Sequence, residues 1–368
     1  MQDGIVFVEF NHQGGERGGT EVATPNWWMG MASRETTQGR LTLTGMFSLD
    51  PATVGRQGYR EIFQSGEALD GKPIVDHQHP HDLFMQLAAV WRMPVTDATG
   101  FTIVGAPVGE PALGPVAFMH RTSAMDNPTA PLGHHTLDST HVSFGVVTAA
   151  VDHGPIVVEG SVFNGREPDD NRWNFDFARL DSYSGRVWIK PDAEWEFQAS
   201  VGHLTEPEQL EPGEDVTRAT FSGSWTRTSG PSPATVTSVT AAFGHNAKEH
   251  GGQSAVLLEG ARHRDLNTLY GRFEWAPAAD TADNVFALTV GGAHDVLRWR
   301  GFEGGVGADV TFYGVPDALQ SAYGHPVSFH VFFRLRPPAG PMGRMWNMRL
   351  SQPMSGHNLS MPADHKME

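Results

Sequence analysis

The sequence predicts an all-β chain: one closed antiparallel transmembrane β-barrel of about sixteen strands (roughly 14–18), with short periplasmic turns and long extracellular loops. Three observations predict it: segments of alternating polarity recur from end to end, short and long connections alternate, and no run of about twenty apolar residues supplies a membrane helix. The plainest repeat is Thr140 to Asn164, where Val142, Phe144 and Val146 alternate with His141, Ser143 and Gly145. After a tight "VDHG" turn, Ile156, Val158, Gly160 and Val162 alternate with Val157, Glu159 and Ser161. Two strands of about ten residues, each with one apolar face, have the length of a bilayer-crossing hairpin.

Period-two segments bounded by turn formers place the strands in order. The first are 4–11, 26–34, 40–49, 81–93 and 100–108, of which 81–93 is the least regular because "LFMQLAAVW" also fits a helix. Next come 140–151, 154–164, 182–190, 194–204, 217–227 and 234–245. The series ends with 254–263, 268–276, 285–293, 301–313 and 326–336. Links after the even-numbered strands up to the twelfth are short: "ETTQG", "PVTDATG", "DH", "PDA", "TSGPSP" and "RDLN". Links after the first, third, fifth, seventh, ninth and fifteenth are long, as expected of a barrel with one turn side and one loop side. A soluble sandwich has no reason to sort its connections by parity. An even strand count also puts both chain ends on the turn side.

Composition agrees. A transmembrane barrel keeps only alternate residues apolar, so it reads as polar, Gly-rich and aromatic-rich, and this chain has a mean hydropathy of -0.32 with 42 Gly, 21 Phe and 10 Trp. Zero cysteines remove disulfides and thiolate chemistry, and a net charge of -16 argues against nucleic acid as a partner. No basic leader or cleavage site precedes "GIVFVEF", so an exported protein is expected to be represented here by its mature or shortened form.

Faces follow from the alternation. Trp195, Phe197, Ala199 and Val201, like Val327, Phe329, Val331 and Phe333, are expected to meet lipid. Glu9, Glu159, Arg186, Glu196, Arg218, Arg262, Arg272, Glu274, Glu303, Asp309, His330 and Arg334 are expected to line a wet, mixed-charge lumen. The bilayer is the first partner this implies.

With these residues in view, the chain resembles a Gram-negative outer-membrane β-barrel of the porin-like class, and "GPVAFMHRTSAMDNPTAPLGHHTLDSTH" resembles a stretch shared by uncharacterised barrels of that class. The resemblance implies the barrel fold and an outer-membrane location; a homotrimer or monomer, and diffusion of small solutes or ions, are expected from the barrel and its mixed-charge lumen rather than from the resemblance. Unlike the usual porin ending, residues 337–368 follow the last strand, so the chain reads as a barrel over 1–336, with long loops at 50–80 and 109–139, and a tail.

Three clusters carry candidate metal chemistry. "DHQHPHD" places His77, His79 and His81 at alternate positions in the loop at 50–80, and the loop at 109–139 leads into His134, His135 and His141, with Asp138 between and His120 upstream. Imidazoles beside carboxylates suit zinc or copper, and the two longest loops have the reach to meet in the lumen. Met342, Met345, Met348, Met354, His357, Met361 and His365 form a Met/His-rich tail that resembles segments of bacterial copper-handling proteins; thioethers favour Cu(I). No metal or other cofactor is required by the fold. Enzyme motifs are absent, with no GxSxG elbow, phosphate loop, HExxH or dinucleotide fingerprint. The expected function is a porin-like channel linked to copper or another metal; the alternatives are a soluble all-β binding protein or a barrel hydrolase using "HHTLDSTH".

Overall fold

A computed structural model describes residues 2–138, 143–230, 235–249, 251–278, 281 and 283–338. The strands are β1 (Gln2–Gln13), β2 (Gly19–Ala23), β3 (Asn26–Thr36), β4 (Gly39–Phe47), β5 (Tyr59–Leu69), β6 (Lys72–Gln78), β7 (Phe84–Pro94), β8 (Thr99–Gly109), β9 (Ser143–His153) and β10 (Ile156–Phe163). They continue with β11 (Ser182–Ile189), β12 (Trp195–Leu204), β13 (Val216–Ser229), β14 (Thr235–Lys248), β15 (Gly251–Arg264), β16 (Asn267–Pro277), β17 (Asn284–Trp299), β18 (Phe302–Gly314) and β19 (Val327–Arg336). Short helices α1 (Asp50–Thr53), α2 (His134–Leu137) and α3 (Asp317–Tyr323) lie in connections. No helix among the described residues is long and apolar enough to cross a membrane.

The wall closes on itself. Seventeen strands form one sheet, β1 pairs antiparallel with β19 from Val6–Leu335 to His12–Phe329, and β5 and β6 form a separate hairpin. β2 and β3 share one wall position, since β2 pairs with Glu9–Gln13 of β1 and β3 with Gln2–Val6. The wall is therefore a closed antiparallel barrel of sixteen strands. Pro25 interrupts that shared strand because it has no N–H to give, although its carbonyl still accepts from the Phe7 N–H at 3.0 Å.

The polarity of the barrel is inverted relative to a soluble protein. Val8, Phe10, Leu43, Ile103, Val147, Val158, Phe221, Leu258, Leu288 and Val331 are exposed on the outer wall, whereas Glu9, Asn11, Glu159, Thr220, Glu259 and Arg334 are buried inside it. Aromatic rings edge the belt. Trp195 and Trp225 sit 6.4 Å apart next to the short turns, and Trp28, Phe47 and Phe84 follow one another at 6.3 and 5.8 Å next to the loops. An exposed apolar belt between two aromatic rims is the surface that hydrocarbon covers.

Several expectations need correction. The first connection, read as a long loop, holds the wall strand β2, and the loop at 50–80 contains the β5–β6 hairpin. The strand placed at 81–93 begins at Phe84, leaving His81 buried in the connection. On β9, Phe144 and Val146 face inward and Val147 and Val151 outward. Connections cover the inner wall there: Phe144 packs against Phe175 and Phe177 at 5.8 and 6.4 Å, and Val146 joins a core with Leu113 and Phe163. Arg262 is on the outside, because the inward set of β15 is Leu257, Glu259 and His263. Glu259 is the inward charge that the Arg262 assignment missed.

Candidate functional site: the loop-filled lumen

The connection from Glu110 to Asp138 does not stand out from the barrel; it crosses the interior, and nearly all its residues are buried. Wall hydroxyls and charges hold it. The Ala112 and Gly114 N–H groups donate to Ser161 and Ser200 at 2.8 Å, and Arg186 donates to the Gly114 carbonyl at 2.8 Å. Arg121 donates to Glu259 at 2.7 Å and also pairs with Asp138. Ser123 shares a hydrogen bond with Thr240 at 2.8 Å, and Arg272 donates to the Thr129 carbonyl at 3.1 Å. Asp126 lies between Arg334 and Arg336, the latter at 3.0 Å. At β14 the wall accommodates α2 with glycine: a Cβ on Gly244 would lie 2.3 Å from the Thr136 carbonyl oxygen.

The β5–β6 hairpin enters beside it. The Ala130 N–H donates to the Tyr59 hydroxyl at 3.1 Å, Asn11 donates to the Arg60 carbonyl at 2.7 Å, and the Tyr323 hydroxyl donates to Asp76 at 2.9 Å. Gly58, at φ +73, lets the chain turn in, and a Cβ there would collide with the Gln78 carbonyl at 1.7 Å. Burial pushes the Glu61 carboxyl of this hairpin up to about 8, and burial likewise pushes Asp82 up to about 7 against the pull of Arg172.

The residues expected to line the lumen do so with the exception of Arg262. Glu159 pairs with Arg186 at 2.7 Å, Arg218 with Asn246 at 2.8 Å, Arg272 with Glu259 at 3.6 Å and Glu274 at 4.0 Å, and Arg334 with Asp295 at 3.0 Å. His330 bridges Asp309 at 2.6 Å and Asn11 at 3.1 Å, Glu303 faces Arg336 at 3.6 Å, and Glu9 is fully buried. The lumen is therefore mostly packed rather than wet. Among the described residues, one open part is a cleft beside the crossing loop, lined by Arg121, Glu196 and the hydroxyls of Ser222, Ser224, Thr226, Ser238 and Thr240.

The loops bring part of the histidine set together. His79 lies 5.2 Å from His135 and 5.9 Å from His134, and the His134 and His135 rings are 4.0 Å apart. One ligand atom from each of the three lies within 4.8 Å of the other two. His81 stands 5.9 Å from His79 and bonds Asp50 at 2.7 Å. His77 turns its Nδ1 to the Val75 carbonyl at 3.1 Å and is not part of that group, so the three alternate histidines do not act as one set. His120 packs on Trp27 at 4.8 Å. Asp138 is committed to Arg121 and the Phe118 N–H, while Ser139, His141 and the whole Met/His tail from Met342 to His365 lie outside the described residues.

A second cluster, His263, Asp295 and Glu303, had no expectation attached. Arg334 and Arg336 already neutralise it: Arg336 is 3.8 Å from Asp295, 3.6 Å from Glu303 and 3.5 Å from His263. Two guanidiniums in the middle of these carboxylates leave a cation no electrostatic advantage.

No protein-family model matches the chain, and no curated protein matches it. Among solved structures, it is similar to OmpF of Salmonella typhi, in complex with daunomycin, at 10% identity over 91% of this chain and 97% of that one, with a TM-score of 0.50. A loop-deletion mutant of OmpT, an outer membrane protein of Vibrio cholerae, aligns at 12% identity over 91% and 99%, with a TM-score of 0.49. A porin refined at 1.8 Å aligns at 12% identity over 91% and 99%, with a TM-score of 0.47. The first of these places the chain in the porin fold.

Proposed function

We propose that this protein is an outer-membrane channel of Gram-negative bacteria that passes small hydrophilic solutes or ions along a narrow route beside its crossing loop. The observation that carries the reading is the cleft between Arg121 and Glu196, where the hydroxyls of Ser222, Ser224, Thr226, Ser238 and Thr240 face open space. Most interior arginines are paired with carboxylates, so selectivity is weak, and the net charge of -16 tilts it toward cations. Planar-bilayer recording of purified protein is expected to give small, steady, mildly cation-selective conductance. Absence of single-channel current over a range of salts would make the protein a closed barrel rather than a channel.

The tail belongs to the same proposal as a second element. Six of the 14 methionines fall in residues 337–368, and that density of soft ligands supports capture of Cu(I) on the turn side of the barrel. Deleting Pro341 to Glu368 is expected to lower Cu(I) binding in chelator competition while leaving the heat-modifiable barrel band unchanged. Equal copper retention by the full-length and deleted proteins would remove copper from the function.

A further inference from the structure

We infer that His79, His134 and His135 form a binding site for one divalent ion of borderline softness, Zn²⁺ or Cu²⁺, which ties the two long loops together inside the barrel. The three rings come from two connections far apart in sequence, and their convergence is a tertiary event rather than a property of either motif.

Three features support a ligand set rather than ordinary ring packing. His79 and His134 are almost fully buried, so neither ring is placed there as a solvated surface group. Two of the rings have an oxygen within hydrogen-bond reach of Nδ1, and the third has a carboxyl group nearby. The His134 Nδ1 is 2.9 Å from the Pro131 carbonyl, the His79 Nδ1 is 3.2 Å from the Pro80 carbonyl and 3.3 Å from Glu67, and the His135 Nδ1 is 3.8 Å from Glu167. Metal-bound histidines have this arrangement: an acceptor on one nitrogen fixes the tautomer and makes the other nitrogen a better donor. Finally, the spacing is within reach. Ligand nitrogens around a tetrahedral ion with bonds of 2.0–2.1 Å lie about 3.3 Å apart. The remaining approach, from within 4.8 Å to about 3.3 Å, is made by residues of the connections rather than of the wall strands.

Three imidazoles from the protein leave one coordination place for water or a solute, the pattern of an exchangeable rather than a closed structural site. The carboxyl groups of Glu67 and Glu167 lie beside it, and the first is held by Arg172. The site does not require an open pore, so it stands or falls independently of conduction.

The test uses full-length protein folded in detergent, stripped with chelator and titrated with Zn²⁺ in competition with a chromophoric chelator, with Cu²⁺ loaded in parallel for electron paramagnetic resonance. One ion per barrel is expected, with nitrogen hyperfine structure in the Cu²⁺ spectrum. His79→Ala, His134→Ala and His135→Gln are each expected to weaken binding 10- to 100-fold, whereas His77→Ala leaves it unchanged. Heat-modifiability on gels checks that each barrel is closed. His135→Gln, at a half-exposed position, keeps the test decisive if the buried variants fail to fold. The inference is overturned if unsubstituted protein holds no Zn²⁺ beyond the His135→Gln variant, or if His77→Ala loses as much as the others.

Discussion

At the scale of single residues, the interior is organised by arginines that each serve two acidic partners. Asp126 is the best placed for a test. Burial alone would raise its carboxyl, but Arg334 and Arg336 outweigh burial and hold it below the usual carboxylate range. Asp126→Ala removes the loop's anchor on β19 and leaves two guanidiniums facing only Asp295 and Glu303. The expected loss is about 1–3 kcal/mol, read as a lower urea midpoint, because both guanidiniums lose a buried hydrogen-bonding partner while Asp295 and Glu303 still balance their charge. Arg262→Ala, on the outer surface, is the matched control and is expected to stay within about 0.5 kcal/mol. Most of these inward residues were legible because period two fixes which side chains share a face. Their partners were not: Asp126, Asp138 and Arg121 belong to a loop whose path follows no period, and nothing local says that it turns inward. Arg262 was misjudged for a related reason. A charged residue at a strand end reaches water from the outer face as readily as from the inner one.

At the scale of elements, the wall strands could be read and the lumenal hairpin could not. Wall strands repeat apolar and polar residues because one side meets hydrocarbon, but β5 and β6 touch protein on both sides and carry an irregular mix. Their pairing jumps at Arg60–Ser65 and Ser65–Ala68, with left-handed backbone at Phe63, Glu67, Asp70 and Asp76. Five-residue β2 was too short to show a period. The convergence of His79 with His134 and His135 was visible as residue type and loop length, while the exclusion of His77 depended on the chain path. The hairpin also carries a pH dependence. Folded Glu61 and Asp82 titrate near 8 and 7, above their unfolded values, so they keep protons that the unfolded chain has released. Their contribution to stability is complete below about pH 4 and is lost as pH rises through both folded values. Hydrogen-exchange protection over 59–78, corrected for the base-catalysed intrinsic rate, is expected to fall between about pH 6 and pH 9, and Glu61→Gln to flatten that fall. Protection unchanged over that range would mean the hairpin is held by its neutral contacts alone.

At the scale of the whole molecule, the apolar belt and the charged interior are one arrangement: a closed sheet satisfies every backbone group within itself, so only side chains decide what each face meets. Inside, two connections and their ion pairs replace the water that sixteen strands alone would enclose. Closure itself has a temporal side. β1 meets β19 across nearly the entire chain, with Asn11 and His330 separated by 319 residues in sequence. Every other wall pair joins segments that are neighbours in sequence or separated only by a loop, so those ladders form early and this one has to wait. Until it forms, β1 carries an open edge on which Phe10 and Val8 are already apolar. The buried bond between His330 and Asn11 thus lies in the ladder whose loop-closure entropy is the largest of the wall, the one expected to form last.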